Sequence, residues 1–301
     1  METMKNIFCE IGFSKDACEL LSNAYLKVLQ DKEAAEIFEA CRKAYEQNTE
    51  FDSAAAFRRI EGLSGQLGIH KYTLDLLYLC TLAPHMKELY KEKHLSGEVF
   101  SDSLKDLKWK AAECQKVYGV LGIFVGFWTV DFFKLKRFAF GRLQFNLGYF
   151  QKDHTVGGQK VQKGDVFVDV HIPSAGPLKH EECQLSYKRA ANFYKKYFQG
   201  KPVIFGCDSW LLSPNNSEIL PEGSNILKFM SDYELLEPAK DPVNTDLWRI
   251  FNVEQLPQNL DELPQDTSLQ RAFLKWLKNG NTIDHAFAAF VYSPTVGDNL
   301  R

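Results

Sequence analysis

The chain has 301 residues, 45% hydrophobic and 25% charged, enough for a substantial core and for about two domains of roughly 150 residues each. A formal charge of -3 gives no basic excess for nucleic acid, and no long apolar run marks a secretion signal or a membrane span. Seven cysteines, Cys9, Cys18, Cys41, Cys80, Cys114, Cys183 and Cys207, are scattered without a CxxC pair, which argues against a disulfide framework or structural zinc and suits a reducing cytoplasm.

From Ser14 to about Tyr118, apolar residues recur at helical intervals. Ala17, Leu20, Leu21, Ala24, Tyr25 and Val28 share one face of a helix for which Ser14 is the N-cap. Further helices are predicted over 32–47, 53–67, 71–82, 84–94 and 103–118, with Pro84 in a first turn, where its missing N–H costs little. This half reads as an all-helical bundle. His70, His85 and His94 lack ligand partners at metal spacing and read as structural or surface residues, and Lys87, Lys91 and Lys93 as a solvated face.

The character changes near Gly119, where glycines and the aromatic segment 124–133 precede a strand predicted over 138–147 and bent at Gly141. The expected domains are therefore 1–125 and 126–301. Gly157-Gly158 reads as a hairpin turn, followed by extended chain over 159–172, a helix over 181–198 and a buried strand over 202–207. Strand, helix, strand in that order implies a right-handed crossover between parallel strands, either neighbouring or splayed. A helix over 224–231, strands over 233–236 and 247–251, a helix over 268–278 and a last strand over 285–292 complete an α+β chain.

The apolar strand from Val166 runs into His171 and then a Pro/Gly turn that opens a helix, the place where open α/β sheets keep ligands. His171 reads either as a general base or as a ring capping loop backbone groups. Asp169 lies on the same face, deeper in the sheet, and either orients that ring or bonds backbone. Cys207, Asp208 and Ser209 end the other parallel strand and are expected to approach His171 across the splay. A Cys207/His171 dyad would give thiol chemistry, with plain packing of Cys207 as the default. Trp210 reads as core or as an acceptor-site wall, and Arg142 as a strand residue reaching solvent or an acidic acceptor.

The order of strands and helices in the second half is close to that of the GNAT N-acyltransferases. More particularly, the segments Gly141-Arg-Leu-Gln-Phe145, His171-Ile-Pro-Ser-Ala-Gly-Pro-Leu178, Cys207-Asp-Ser-Trp-Leu-Leu212 and Leu220-Pro-Glu-Gly-Ser-Asn-Ile-Leu227 resemble a bacterial family of acyltransferase domain-containing proteins. That family combines a helical N-acyltransferase N-terminal domain with a GNAT-like C-terminal domain, and the resemblance covers nearly the whole chain. It implies a mixed α/β second domain with a splayed central sheet, acyl-CoA as co-substrate without a metal, and direct attack by an amine of a small molecule or peptide.

GNAT enzymes generally hold the CoA pyrophosphate on an Arg/Gln-x-x-Gly-x-Gly/Ala loop. This chain has Ser174-Ala-Gly-Pro-Leu-Lys-His180 there, so the resemblance puts CoA on Ile172, Ser174, Ala175 and Gly176, with Lys179 adding positive charge and Pro177 removing one donor. Another acyl carrier fits that loop equally well. Ser209 or Ser224 would protonate the departing thiolate, although Ser224 before Asn225 also reads as a helix N-cap. Arg142, Trp210, Ser224 and Asn225 make up the expected substrate side. Two rival readings stand beside the enzyme: a non-catalytic module that binds a ligand or a partner, and a Cys/His hydrolase that requires an exposed Cys207.

Overall fold

In the computed structural model, which describes residues 1–293, Ser14, Asp31, Asp52 and Ser96 each accept a hydrogen bond from the backbone N–H three residues on, and each starts a helix at that point. The unit Met1–Ala139 contains α1 (Glu2–Ile11), α2 (Lys15–Gln30), α3 (Lys32–Gln47), α4 (Ser53–Glu61), α5 (Ser64–Leu67), α6 (Lys71–Glu92), α7 (Gly97–Leu104), α8 (Asp106–Tyr118) and α9 (Gly126–Phe133). At its centre is α6, buried without interruption over 73–83 and packed by α1, α3, α4, α7 and α9.

That burial explains why 71–82 and 84–94, expected as two helices, form one. Pro84 cannot donate to the carbonyl four residues back, but packing on both flanks holds the helix through it. The expected helix over 53–67 is instead split into α4 and α5. Residues 126–133 form α9, which packs on α4 and α6 so closely that a Cβ on Gly126 would meet the Phe57 ring at 2.8 Å. The division between units accordingly falls at Ala139/Phe140 rather than at 125/126.

The unit that begins at Phe140 carries the sheet. Its strands are β1 (Phe138–Phe140, which spans the division), β2 (Leu143–Tyr149), β3 (His154–Val156), β4 (Gln159–Val161), β5 (Val166–His171), β6 (Ile204–Ser209), β7 (Glu234–Ala239) and β8 (His285–Val291). Its helices are α10 (His180–Tyr194), α11 (Asn216–Ile219), α12 (Asn225–Met230), α13 (Leu247–Phe251) and α14 (Ser268–Lys278). The six-stranded sheet runs β1-β2-β5-β6-β8-β7, with β3 and β4 as a separate hairpin. The strand expected over 247–251 is the helix α13. Its buried residues Leu247, Ile250 and Phe251 follow helical spacing rather than alternation.

Strands β5 and β6 are parallel, yet they pair only at Val168↔Phe205 and Asp169↔Gly206 before parting. Alternation assigns each side chain to a face. Phe145, Val170, Phe205 and Phe290 share one face with Tyr187 of α10, where the Phe205 and Phe290 rings stack at 5.2 Å. The other face carries Asn146, Phe167, Asp169, His171, Asp208 and Phe287. There the Phe167 ring spreads over both neighbouring strands, and Cβ atoms on Gly148 and Gly206 would meet it at 2.5 and 2.6 Å.

Candidate active site

His171 ends β5 just where the parallel pair opens, and its side chain is 18% exposed. Its Nε2 lies 2.5 Å from Asn146 Oδ1 and 3.3 Å from Asp169 Oδ2. Asn146 comes from β2, where it faces Asp169 in register, and its Nδ2 donates to Leu147 O at 3.2 Å and Asp169 Oδ2 at 3.4 Å. With the amide nitrogen engaged as donor, the amide oxygen is the acceptor and His171 Nε2–H the donor. In the neutral ring the lone pair then sits on Nδ1.

Asp208 lies on the same sheet face as His171 and bonds His285 of β8, Oδ1 to Nδ1, at 2.7 Å. Partial burial opposes the charged ring, but the hydrogen bond and charge of Asp208, with Asp246 and Asp241 nearby, outweigh it and hold the His285 pKa above its ordinary value. The Cys207/His171 dyad is not formed. Cys207 points to the opposite face, under α10, and is completely buried, which pushes its thiol well above the ordinary cysteine range. No thiolate is available there for a hydrolase.

Arg142 also differs from expectation. It is buried rather than solvent-facing, and its guanidinium donates to three carbonyls of the loop after β5: Nε to Pro177 O at 3.1 Å, Nη1 to Pro173 O at 2.9 Å and Nη2 to Gly176 O at 3.0 Å. Its own N–H donates to Ser186 Oγ of α10 at 3.1 Å. Arg142 therefore fixes the loop instead of meeting an acceptor. With those carbonyls turned inward, the Ala175 N–H closes a tight turn onto Pro173 O at 2.8 Å. Among the described residues, the N–H groups of Ser174 and Gly176 meet no protein acceptor. The φ of 92° at Gly176 is one that favours glycine.

A cavity of about 210 Å³ opens beside this loop, lined by Ile172, Ser174 and Gly176 together with Trp210, Asn225 and Arg249. The expected residues Ile172, Ser174, Gly176, Trp210 and Asn225 are thus brought together. Ala175 and Lys179 are not part of the lining, and Lys179 is paired with Glu182 at 3.0 Å. Trp210 packs edge-on to Phe273 at 5.6 Å while its edge reaches the cavity. Ser224 Oγ accepts from Leu227 N–H at 3.2 Å as the N-cap of α12, and Ser209 Oγ accepts from Leu211 N–H at 3.2 Å. A larger groove of about 810 Å³ runs along α10 past Lys201, Pro202 and Val203, at the opposite, N-terminal end of β6. Ligands of parallel sheets sit at strand C-termini, so the smaller cavity is the candidate site. Among the described residues, no cluster of three or more His, Cys, Asp or Glu side chains offers a metal site, and no helix is long and apolar enough to cross a membrane.

Residues 138–289 match the profile of a GNAT-like C-terminal domain, and residues 2–135 that of an N-acyltransferase N-terminal domain. The chain belongs to this GNAT-like family. Its fold is accordingly a helical N-terminal region followed by a GNAT-like mixed sheet. No curated protein matches the sequence. Among solved structures, it is similar to an acyltransferase mutant in complex with octanoyl-CoA, at 22% identity and a TM-score of 0.74 over 97% of this chain and 88% of that one. It is also similar to an acyltransferase in complex with decanoyl-CoA and teicoplanin, at 22% identity and a TM-score of 0.67 over 96% of this chain and 99% of that one. At such identities the likeness is one of fold.

Three residues near the candidate site escape a linear reading. Asn146 sits in a strand whose partner is unknown until register is fixed, His285 opens a strand otherwise apolar, and Arg249 lies in the segment expected to be a strand. The only sequence signal for Asn146 was a polar residue between Phe145 and Leu147 on a strand with an apolar opposite face.

Proposed function

We propose that the chain is an N-acyltransferase that moves an acyl group from acyl-CoA to an amine by direct attack. The observation that carries this reading is the position of His171, hydrogen-bonded to Asn146 at the mouth of the splayed β5/β6 pair and adjoining the loop whose Ser174 and Gly176 line the cavity with N–H groups that meet no acceptor among the described residues. Those two N–H groups, just before the 15-residue helix α10, suit phosphate oxygens of the carrier. Family membership and the acyl-CoA complexes of similar structures support the same donor, and the complex with teicoplanin supports a small-molecule acceptor.

In this reading His171 Nδ1 takes the proton of the attacking amine as the C–N bond forms. The C–S bond breaks with its electron pair on sulfur, and the proton returns to that thiolate, yielding an amide and free CoA. Ser209, at the end of β6, is the hydroxyl we assign to that return. Asp208 with His285 supplies charge on the same face. Alignment of amine and thioester does most of the work, since no covalent intermediate is required. Cysteines without disulfides suit a reducing cytoplasm as the setting.

Thermal unfolding with octanoyl-CoA and decanoyl-CoA tests the reading. A ligand at 100 times its Kd stabilises the fold by about 2.7 kcal/mol, so a saturable rise in melting temperature is expected. The absence of a shift with either acyl-CoA would overturn it and favour a non-catalytic module.

A further inference from the structure

Two arginines line the cavity beside the loop, and they are differently employed. Arg142 spends Nε, Nη1 and Nη2 on loop carbonyls. Arg249, near the end of α13, is held by one acceptor among the described residues: its Nε donates to Asp246 Oδ1 at 2.7 Å, while its Cζ lies 4.3 Å from the centre of the Trp248 ring. A guanidinium has five N–H donors, and this anchoring through Nε leaves the two terminal nitrogens to act as a fork. The side chain is 36% exposed, so it meets solvent and cavity together. Lys179, the cation expected beside the loop, is tied to Glu182 and lies outside the lining.

We infer that Arg249 binds a phosphate of the acyl carrier, together with the uncommitted N–H groups of Ser174 and Gly176, two residues that line the same cavity. The inference rests on the acyl-CoA reading above. It supplies what this loop lacks relative to the GNAT pattern: over 174–177 the loop has two uncommitted N–H donors, Ser174 and Gly176, since Ala175 has turned onto Pro173 O and Pro177 has none. A planar fork matches two oxygens of one phosphate, and such charge-assisted bonds are about twice as strong as neutral ones. Asp246 is a positioning residue, since it fixes the plane of the fork.

Calorimetric Kd values for CoA, dephospho-CoA and pantetheine test the assignment on the full chain, as wild type, Arg249→Gln and Arg249→Lys. Arg249→Gln should weaken CoA at least tenfold and leave pantetheine within twofold of wild type, with Arg249→Lys in between. If the tenfold loss persists with dephospho-CoA, the pyrophosphate is the partner; if it disappears, the 3′-phosphate is. Equal CoA affinity in wild type and Arg249→Gln, or an equal loss for pantetheine, would overturn the inference. Should Arg249→Gln fail to fold, Arg249→Lys alone carries the test, with a severalfold loss specific to CoA expected and no loss overturning it. Failure of the wild type to bind CoA would instead strike the acyl-CoA reading itself.

Discussion

Asn146 Oδ1 and His171 Nε2 meet at 2.5 Å across the antiparallel β2/β5 pair, and this bond sets the tautomer of the ring. Replacing Asn146 with Ala should lower kcat by about tenfold, near 1.4 kcal/mol of barrier, with little change in KM for acyl-CoA. Steady-state rates check this, and an unchanged kcat would remove the pair from the chemistry.

Arg142 acts through the loop. Loss of its three charge-assisted bonds to loop carbonyls, of which the one to Pro173 is buried, should cost about 3 kcal/mol, so the urea midpoint of Arg142→Met should fall sharply. Arg142→Lys should rescue little, because an ammonium cannot reproduce the fork that spans Pro173, Gly176 and Pro177. Denaturant unfolding of both variants decides this.

Asp208→Asn should lower the His285 pKa, because partial burial remains and the charge that opposed it is gone. The folded value is raised above 6.5, so the pair's contribution to stability is fully present below pH 6.5 and is lost as pH rises through the folded value. The melting temperature of Asp208→Asn should accordingly fall most at the acid end of that window and approach wild type above it. NMR titration of the ring reports the shift directly.

In the helical unit, burial pushes the Asp75 carboxyl up to about 8, with Glu61 adding repulsion and Lys71 opposing it, and its Oδ1 meets no partner. The folded value again exceeds the unfolded one, so stability should decline as pH rises from about 4 to about 8 and then level off. Asp75→Asn should flatten that decline and raise the melting temperature at pH 8. A set of thermal melts from pH 4 to 9 measures it.

The sequence made the order of elements legible wherever local spacing and packing agree. The cap Ser14, the hairpin at Gly157-Gly158 and the β5/β6 crossover are all local or nearly local signals. Pro84 and the 247–251 segment misled because tertiary burial decides their state: α6 is enclosed on all sides, and α13 is too short for its period to stand out. At the candidate site, the places of His171 and Asp208 at strand ends were legible, whereas the turning of Cys207 to the opposite face needed the register. A one-residue step along β6 turns Cys207 into the core and Asp208 onto the face of His171. Arg142 and Asn146 were beyond reach in the same sense, since their partners lie on elements that only the folded sheet brings beside them.

The most direct test of acyl transfer through His171 is release of CoA thiol from decanoyl-CoA in the presence of a panel of small-molecule amines, wild type against His171→Ala. Wild type should release thiol in an amine-dependent way, and His171→Ala should be slower by roughly 100-fold, the scale of general-base catalysis, at saturating decanoyl-CoA. Equal rates for the two proteins, or no amine-dependent release by wild type, would contradict it.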